Sequence, residues 1–215
     1  SDAADLKLEG YAGLKVDGLM HESYTGGFSA RSENGDIRLT TTEAHTTGDI
    51  EVFAQTGKVT LDKTYLYTVE AGSTRVRAGQ DVVLTTSGIQ GEAEASIESS
   101  NGNITMQASS VYVDAETKGT PTGISLSAAN GTIDMESSSV TWNPMYYDRA
   151  DNGQYPAQAG DGTVRIAGMA SNTTLTTKNG SSVFGDTALS VSGAITDDGS
   201  HTNIWSGDVE PMKTT

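Results

Sequence analysis

A short phrase of alternating polar and apolar residues recurs along the chain, each time after a glycine. Gly35-Asp-Ile-Arg-Leu39 is one copy, and others begin at Gly48, Gly57, Gly102, Gly131 and Gly162. Alternation with a period of two is typical of a strand that buries one face. Each copy offers only two inward apolar residues, so copies must stack on one another, within one chain or between chains. The pattern predicts an all-β fold, a parallel β-helix or β-solenoid.

Asn-Gly pairs offer an alternative to this fold. They occur at Asn34-Gly35, Asn101-Gly102, Asn130-Gly131 and Asn179-Gly180, and this dipeptide favours the turns of β-hairpins. A hairpin meander or sandwich is therefore the rival architecture. The recurring phrase keeps one polarity, turn first and strand second, which favours the β-helix.

The regularity of the phrase divides the chain into four parts. Residues 1–33 are expected to be a cap or junction, and residues 34–142 the regular body. Within the body, the longer gaps at 86–95 and 114–122 are expected to be loops. Residues 143–161 break the alternation and predict a long loop insertion, and residues 162–215 carry shorter strands and an irregular tail.

Composition narrows the function classes. Hydrophobic residues make up 35% of the 215 and aromatics 6%, which suits a narrow solenoid core. The formal net charge of −15 repels phosphate backbones, so no nucleic-acid partner is expected. With no cysteine there is no disulfide or thiolate metal site. No apolar run approaches the ~18 residues of a membrane span, so no membrane insertion is expected.

Two groups of proteins resemble parts of this chain. Arg77-Ala-Gly-Gln-Asp-Val-Val-Leu-Thr85 resembles the repeats of filamentous-haemagglutinin-type secreted adhesins. The stretch beginning at Gly123-Ile-Ser-Leu and the stretch beginning at Ser182-Val-Phe-Gly resemble bacteriophage tail fibres, spikes and baseplate spike proteins. The first resemblance implies a parallel β-helix on a bacterial surface. The second implies a homotrimer whose strands interlace or stack around a threefold axis. Neither brings catalytic residues with it.

Catalytic motifs are missing from the sequence, and no enzyme is expected. The three histidines, His21, His45 and His201, lie far apart and are expected to be exposed turn residues. Paired acids would be needed for polysaccharide cleavage. The candidate pairs are Asp134 with Glu136, Asp148 with Asp151, and Glu92 with Glu94. On a strand, spacing of two places both acids on one outward face, so a solvated face explains them equally.

The loop insertion carries the main binding hypothesis. Aromatic rings stack on sugars and anchor protein contacts at low entropic cost. The candidate residues are Trp142, Tyr146, Tyr147, Asp148, Arg149, Asp151, Asn152 and Tyr155. The alternative is that the rings cover the core or a subunit contact, and the same alternative applies to Tyr65 and Tyr67, which share one strand face. No cofactor or metal is expected.

These observations lead to three functional expectations. The first is a non-enzymatic fibre or spike segment of a phage tail or baseplate, a homotrimer in the virion that positions a host-recognition tip. The second is a segment of a secreted bacterial surface adhesin that binds a glycan or protein. The third is a polysaccharide depolymerase. Expected partners are further copies of the chain, other tail or cell-surface proteins, and a host glycan.

Overall fold

The computed structural model describes residues 5–70, 72–114 and 123–143, together with seven short strands between residues 163 and 211. Every regular element in this part of the chain is a strand. The strands are β1 Leu6–Gly10, β2 Leu14–Asp17, β3 Met20–Ser23, β4 Phe28–Ser32, β5 Ile37–Thr40, β6 Glu43–Thr46, β7 Ile50–Ala54, β8 Val59–Asp62, β9 Tyr65–Thr68, β10 Ser73–Ala78, β11 Val82–Thr85, β12 Gly88–Gly91, β13 Glu94–Ser99, β14 Ile104–Gln107, β15 Ser110–Asp114, β16 Gly123–Ala128, β17 Ile133–Glu136, β18 Ser139–Asn143, β19 Thr163–Gly168, β20 Leu175–Lys178, β21 Ser182–Phe184, β22 Thr187–Val191, β23 Ile195–Asp197, β24 Trp205–Ser206 and β25 Glu210–Pro211.

The strands form three long parallel sheets, because every third strand pairs with the next. Sheet A contains β1, β4, β7, β10, β13, β16, β19 and β22. Sheet B contains β2, β5, β8, β11, β14, β17, β20 and β23, and sheet C contains β3, β6, β9, β12, β15, β18 and β21. Strands β1 to β18 therefore make six layers of three strands, stacked in five steps of ~4.8 Å. A small antiparallel pair, β24 with β25, lies outside these sheets.

Each layer, or coil, is closed by the chain itself. In sheet A, Leu6 pairs with Phe28 and Phe28 with Ile50, so equivalent residues are 22 apart. Between β13 and β16 the step lengthens, because Glu94 pairs with Gly123. The predicted all-β parallel solenoid is confirmed, and the stacking of the described strands is within one chain. The homotrimer stays a prediction.

Two details of the strand assignment differ from expectation. The loop predicted at residues 86–95 is wrong, because this stretch contains β12 and begins β13. Strand β12 has one large apolar residue, Ile89, between two glycines, so alternation is too weak to reveal it. Residues 6–32 contain β1 to β4, which pair in the same three sheets as the strands that follow.

The core is narrow and built from columns of equivalent side chains. In sheet B one inward column contains Ile37, Val59, Val82, Ile104 and Ile133, and all five are fully buried. A second contains Leu39, Leu61, Leu84, Met106 and Met135, which are at most 1% exposed. The two apolar residues of each phrase thus enter two continuous columns, which explains how so small a repeat forms a core.

The turn from sheet A to sheet B explains the start of the phrase. A Cβ added at Gly57 would lie 2.4 Å from the backbone oxygen of Gly35, so neighbouring coils approach too closely for a side chain here. The next residue in the phrase bonds to the neighbouring coil. Oδ1 of Asp36 accepts the N–H of Lys58 at 3.0 Å, and Oδ1 of Asp81 accepts that of Asn103 at 2.8 Å.

The turn from sheet B to sheet C has a left-handed residue followed by a buried hydroxyl. Thr41, Lys63, Thr86, Ala108 and Ser137 all have φ near +50°, and Gly18 has φ +72°. The residues that follow the non-glycine members are Thr42, Thr64, Ser87, Ser109 and Ser138, all at most 4% exposed. We call these five residues the hydroxyl ladder. They are buried because the left-handed turn directs the next residue inward.

Candidate binding surface

The main predicted site lies largely outside the described residues. Of its members, Trp142 falls in β18, where its backbone pairs with Val113 of β15. The others, Tyr146, Tyr147, Asp148, Arg149, Asp151, Asn152 and Tyr155, are outside the part of the chain that the structure describes. The binding hypothesis for this segment stays a prediction.

The acid pairs have structural partners where they are described. Thr132 Oγ1 donates to Oδ2 of Asp134 at 2.9 Å. Glu94 accepts from Arg75 at 2.9 Å, while Glu92 is only 6% exposed. Asp148 and Asp151 are outside the described residues. No group of three or more acidic or histidine side chains in the described ranges is placed to hold a metal ion.

The described histidines are not turn residues. His21 lies in β3 and His45 in β6, and both are half-buried. The ring of His45 stacks on that of Tyr67 in the next coil, with centroids 4.1 Å apart and planes inclined by 24°. The expectation of exposed turn histidines is therefore wrong for these two, because they occupy strand positions in register with other coils. His201 is outside the described residues.

The outer face of sheet C brings aromatic side chains from successive coils together. The strand register places outward residues in two columns. One contains Met20, Glu43, Tyr65, Gly88 and Ser110, and the other contains Glu22, His45, Tyr67, Gln90 and Tyr112. Aromatic and polar residues thus alternate along the second column, next to a glycine and a serine in the first.

A groove of about 250 Å³ runs along this face. Tyr65, Tyr67 and Tyr112 supply its aromatic lining. Its remaining lining is small, amide or aliphatic: Leu66, Gly88, Ile89, Gln90, Ser110 and Ser139. We call this feature the sheet C groove. None of its lining residues carries a formal charge, although the whole chain carries −15.

Glycine 88 forms the floor beneath one of the aromatic rings. A Cβ added there would lie 3.0 Å from Cδ1 and 3.5 Å from Cε1 of Tyr65. The Tyr65 ring therefore rests on the backbone of the next coil. The residue remains 48% exposed, so part of the ring surface is open to solvent above the floor.

Carboxylates on the earlier coils set the electrostatics beside the groove. Burial, and then the charges of Glu43 and Glu22, raise the pKa of Tyr67. The exposed Tyr24 hydroxyl donates to Glu22 at 2.5 Å, and this hydrogen bond is the main cause of a raised pKa for Tyr24. These phenols remain protonated donors at neutral pH, and the local field is negative.

The outer face of sheet A is instead occupied by ion pairs between coils. Glu51 accepts hydrogen bonds from both Arg31 and Arg77, and the Arg77 guanidinium lies 4.6 Å from the ring centre of Phe53. Burial alone would raise the pKa of Glu51, but the hydrogen bonds and charges of Arg77 and Arg31 outweigh it and lower that pKa. These charges hold neighbouring coils together, so this face is stabilising.

Sequence reasoning found part of the sheet C groove and missed the rest. The period of two shows that Tyr65 and Tyr67 share a face. Tyr112 and Gly88 join them only through the coil repeat: the step is 23 residues from Tyr67 to Gln90 and 22 from Gln90 to Tyr112. A search for equivalent residues at this longer period was the signal that could have found them.

The fold and its surfaces define a single-chain β-solenoid. Comparison with models of protein families, with curated proteins and with solved structures gives no match for this chain. No helix in the described residues is long and apolar enough to cross a membrane.

Proposed function

We propose that this chain is a non-enzymatic structural segment of a surface rod, which projects or positions a recognition surface outside a cell or on a virion. The observation that supports the proposal most directly is the continuous core. The same chain supplies every strand of the six layers, and the inward columns run through them without interruption. Parallel ladders on three sides make such an element stiff along its axis.

A secreted adhesin segment is the form of this proposal that the geometry supports best. The adhesin resemblance implies three-strand coils closed within one chain, and coils of that kind are present here. Under this proposal the rod stands on a bacterial surface and presents the segment after Asn143 to a glycan or protein. The phage resemblance implies a trimer, and a phage tail fibre or spike is the competing form.

Two further observations support a non-enzymatic role. Glu94 is engaged by Arg75, and Asp134 by Thr132. Both contacts suit outward scaffold positions better than a pair of reacting acids. The depolymerase alternative requires the acids at 148 and 151, and its test is the release of reducing ends from capsular polysaccharide or lipopolysaccharide.

Sedimentation equilibrium tests the proposal at several protein concentrations. The adhesin form predicts a monomer of 22.4 kDa that unfolds with the far-ultraviolet signature of β structure. A stable species of three times that mass would instead favour the phage-tail form. Loss of β structure in the isolated chain at all concentrations would contradict both.

A further inference from the structure

We infer that the sheet C groove is a binding site for a neutral saccharide, with the Tyr65 ring as its stacking platform. The groove is separate from the predicted loop site at residues 143–161. The inference goes beyond the rod role, because a monomer and a trimer of the chain would both contain these residues.

The platform is built into the backbone. The Tyr65 ring rests on Gly88, where a Cβ would approach Cδ1 to 3.0 Å. With one side of the ring against the sheet, the exposed remainder is a flat apolar surface of the kind that stacks on the C–H face of a sugar ring. Glycine at position 88 is what permits this arrangement, since any side chain there would displace the ring.

The polar part of the lining matches sugar hydroxyls. Gln90 offers two amide donors and one acceptor, and Ser110 and Ser139 each offer a hydroxyl that both donates and accepts. These groups lie beside Tyr67 and Tyr112 in the same groove. Apolar rings combined with a few hydrogen-bonding groups are typical of small-ligand sites. The volume of about 250 Å³ limits the ligand to a short saccharide.

Charge selects among saccharides. The lining contains no cation that could pair with a carboxylate, sulfate or phosphate. Glu43 and Glu22 lie close enough to Tyr67 to act on its phenol, and they would repel an anionic ligand. The ring of His45 covers one face of Tyr67, which holds the Tyr67 ring in place and leaves Tyr65 as the more exposed platform.

Saturation-transfer difference NMR on the full chain tests the site. The probes are neutral oligosaccharides of glucose, galactose, mannose and N-acetylglucosamine at about 10 mM, which detects a Kd on the order of 1 mM. Sialylated and sulfated oligosaccharides and a proline-rich peptide are run beside them. A neutral oligosaccharide is expected to bind, and the anionic probes are not.

Three variants locate the binding. Tyr65→Ala is expected to weaken it by about tenfold through loss of the stacked ring. Gly88→Ala removes no polar group and should weaken it comparably, because it displaces the ring. Tyr11→Ala is the matched control, since Tyr11 is 71% exposed and does not line the groove. It should leave the Kd unchanged.

A second measurement does not depend on the variants folding. In wild-type protein labelled at tyrosine, the ring resonances of Tyr65 and Tyr112 should shift with the neutral sugar, while those of Tyr11 should not. The inference is overturned if no neutral probe shifts Tyr65, if Tyr65→Ala and Tyr11→Ala bind equally, or if only the peptide or the anionic probes bind at the groove. None of these outcomes bears on the oligomeric state that tests the rod proposal.

Discussion

The hydroxyl of Ser87 accepts the backbone N–H of Thr64, one coil away, at 3.1 Å. The same hydroxyl donates to the carbonyl of Thr85 at 2.8 Å. Ser109 and Ser138 repeat this arrangement in later coils. A buried side chain thus performs a task that the strand ladders leave undone at the left-handed turn.

Ser87→Ala should therefore lower the free energy of unfolding by about 1–3 kcal/mol, because it leaves the buried N–H of Thr64 without an acceptor. Urea titration followed by circular dichroism measures the change. Ser87→Thr is the control and should stay near wild type, since Thr42 and Thr64 occupy equivalent positions. A stability of Ser87→Ala within a few tenths of wild type would show that the hydroxyl ladder is not stabilising.

Stability should depend on pH through Glu51. The pKa of Glu51 is lowered in the folded protein, so the stabilisation is fully present above its ordinary pKa of 4.5 and is lost as the pH falls through the lower folded value. At neutral pH, Glu51→Gln should lower the free energy of unfolding by about 1–2 kcal/mol. The difference between the two proteins should narrow below pH 4.5.

The matched control for this titration is Asp17→Asn. Asp17 is an exposed carboxylate at the end of β2, for which the structure records no ion pair. It should shift the curve little at any pH. A constant difference between wild type and Glu51→Gln from neutral pH into the acid range would contradict an ionic origin.

Glycine at position 108 should stabilise the protein. Ala108 is exposed and has φ +48°, a conformation that costs an L-residue roughly 1–2 kcal/mol. Glycine avoids that strain and loses about 0.5–1 kcal/mol in chain entropy. The net gain expected for Ala108→Gly is up to about 1 kcal/mol, measured as an increase in the urea midpoint.

The same substitution one coil later should have the opposite effect. Ala129 is half-buried, follows β16 and is not among the residues with positive φ. Ala129→Gly should destabilise by about 0.5–1 kcal/mol. Equal effects at 108 and 129 would show that the left-handed turn is not strained.

Truncation of the core should cost more in the middle of the rod than at its first coil. Leu84 is fully buried between Leu61 and Met106, so Leu84→Ala should cost about 2–5 kcal/mol. Leu14 is only partly buried, against the core of the next coil, and Leu14→Ala should cost about 1 kcal/mol. Urea midpoints in the reverse order would contradict the continuous core.

The alternation at Ile37 and Leu39 was enough to predict the strands and their inward faces. Closure of the coil was harder to foresee, because β12 contributes one large apolar residue and because register depends on which strands pair. Thr64 and Ser87 have the composition of exposed loops, yet they are fully or almost fully buried, since the left-handed residue before each one directs it inward. No local pattern signals that burial.

The candidate surface divides in the same way. The spacing of Tyr65 and Tyr67 predicts a shared face from the strand period alone. Gly88 and Tyr112 become neighbours only when the coil repeat of 22 or 23 residues is known. Side chains that cooperate across coils are therefore invisible to any reading confined to a single strand.

The longer step between β13 and β16 has a consequence for how such a rod can change. Ile104 and Ile133 are 29 residues apart and still pair in register, as do Ile37 and Val59, which are 22 apart. The seven additional residues are taken up between the strands, and the three sheets continue unchanged. Length can therefore be inserted between sheets C and A without disturbing the ladder, so the rod can acquire new surface segments while its axial ruler, one coil per step, keeps its spacing.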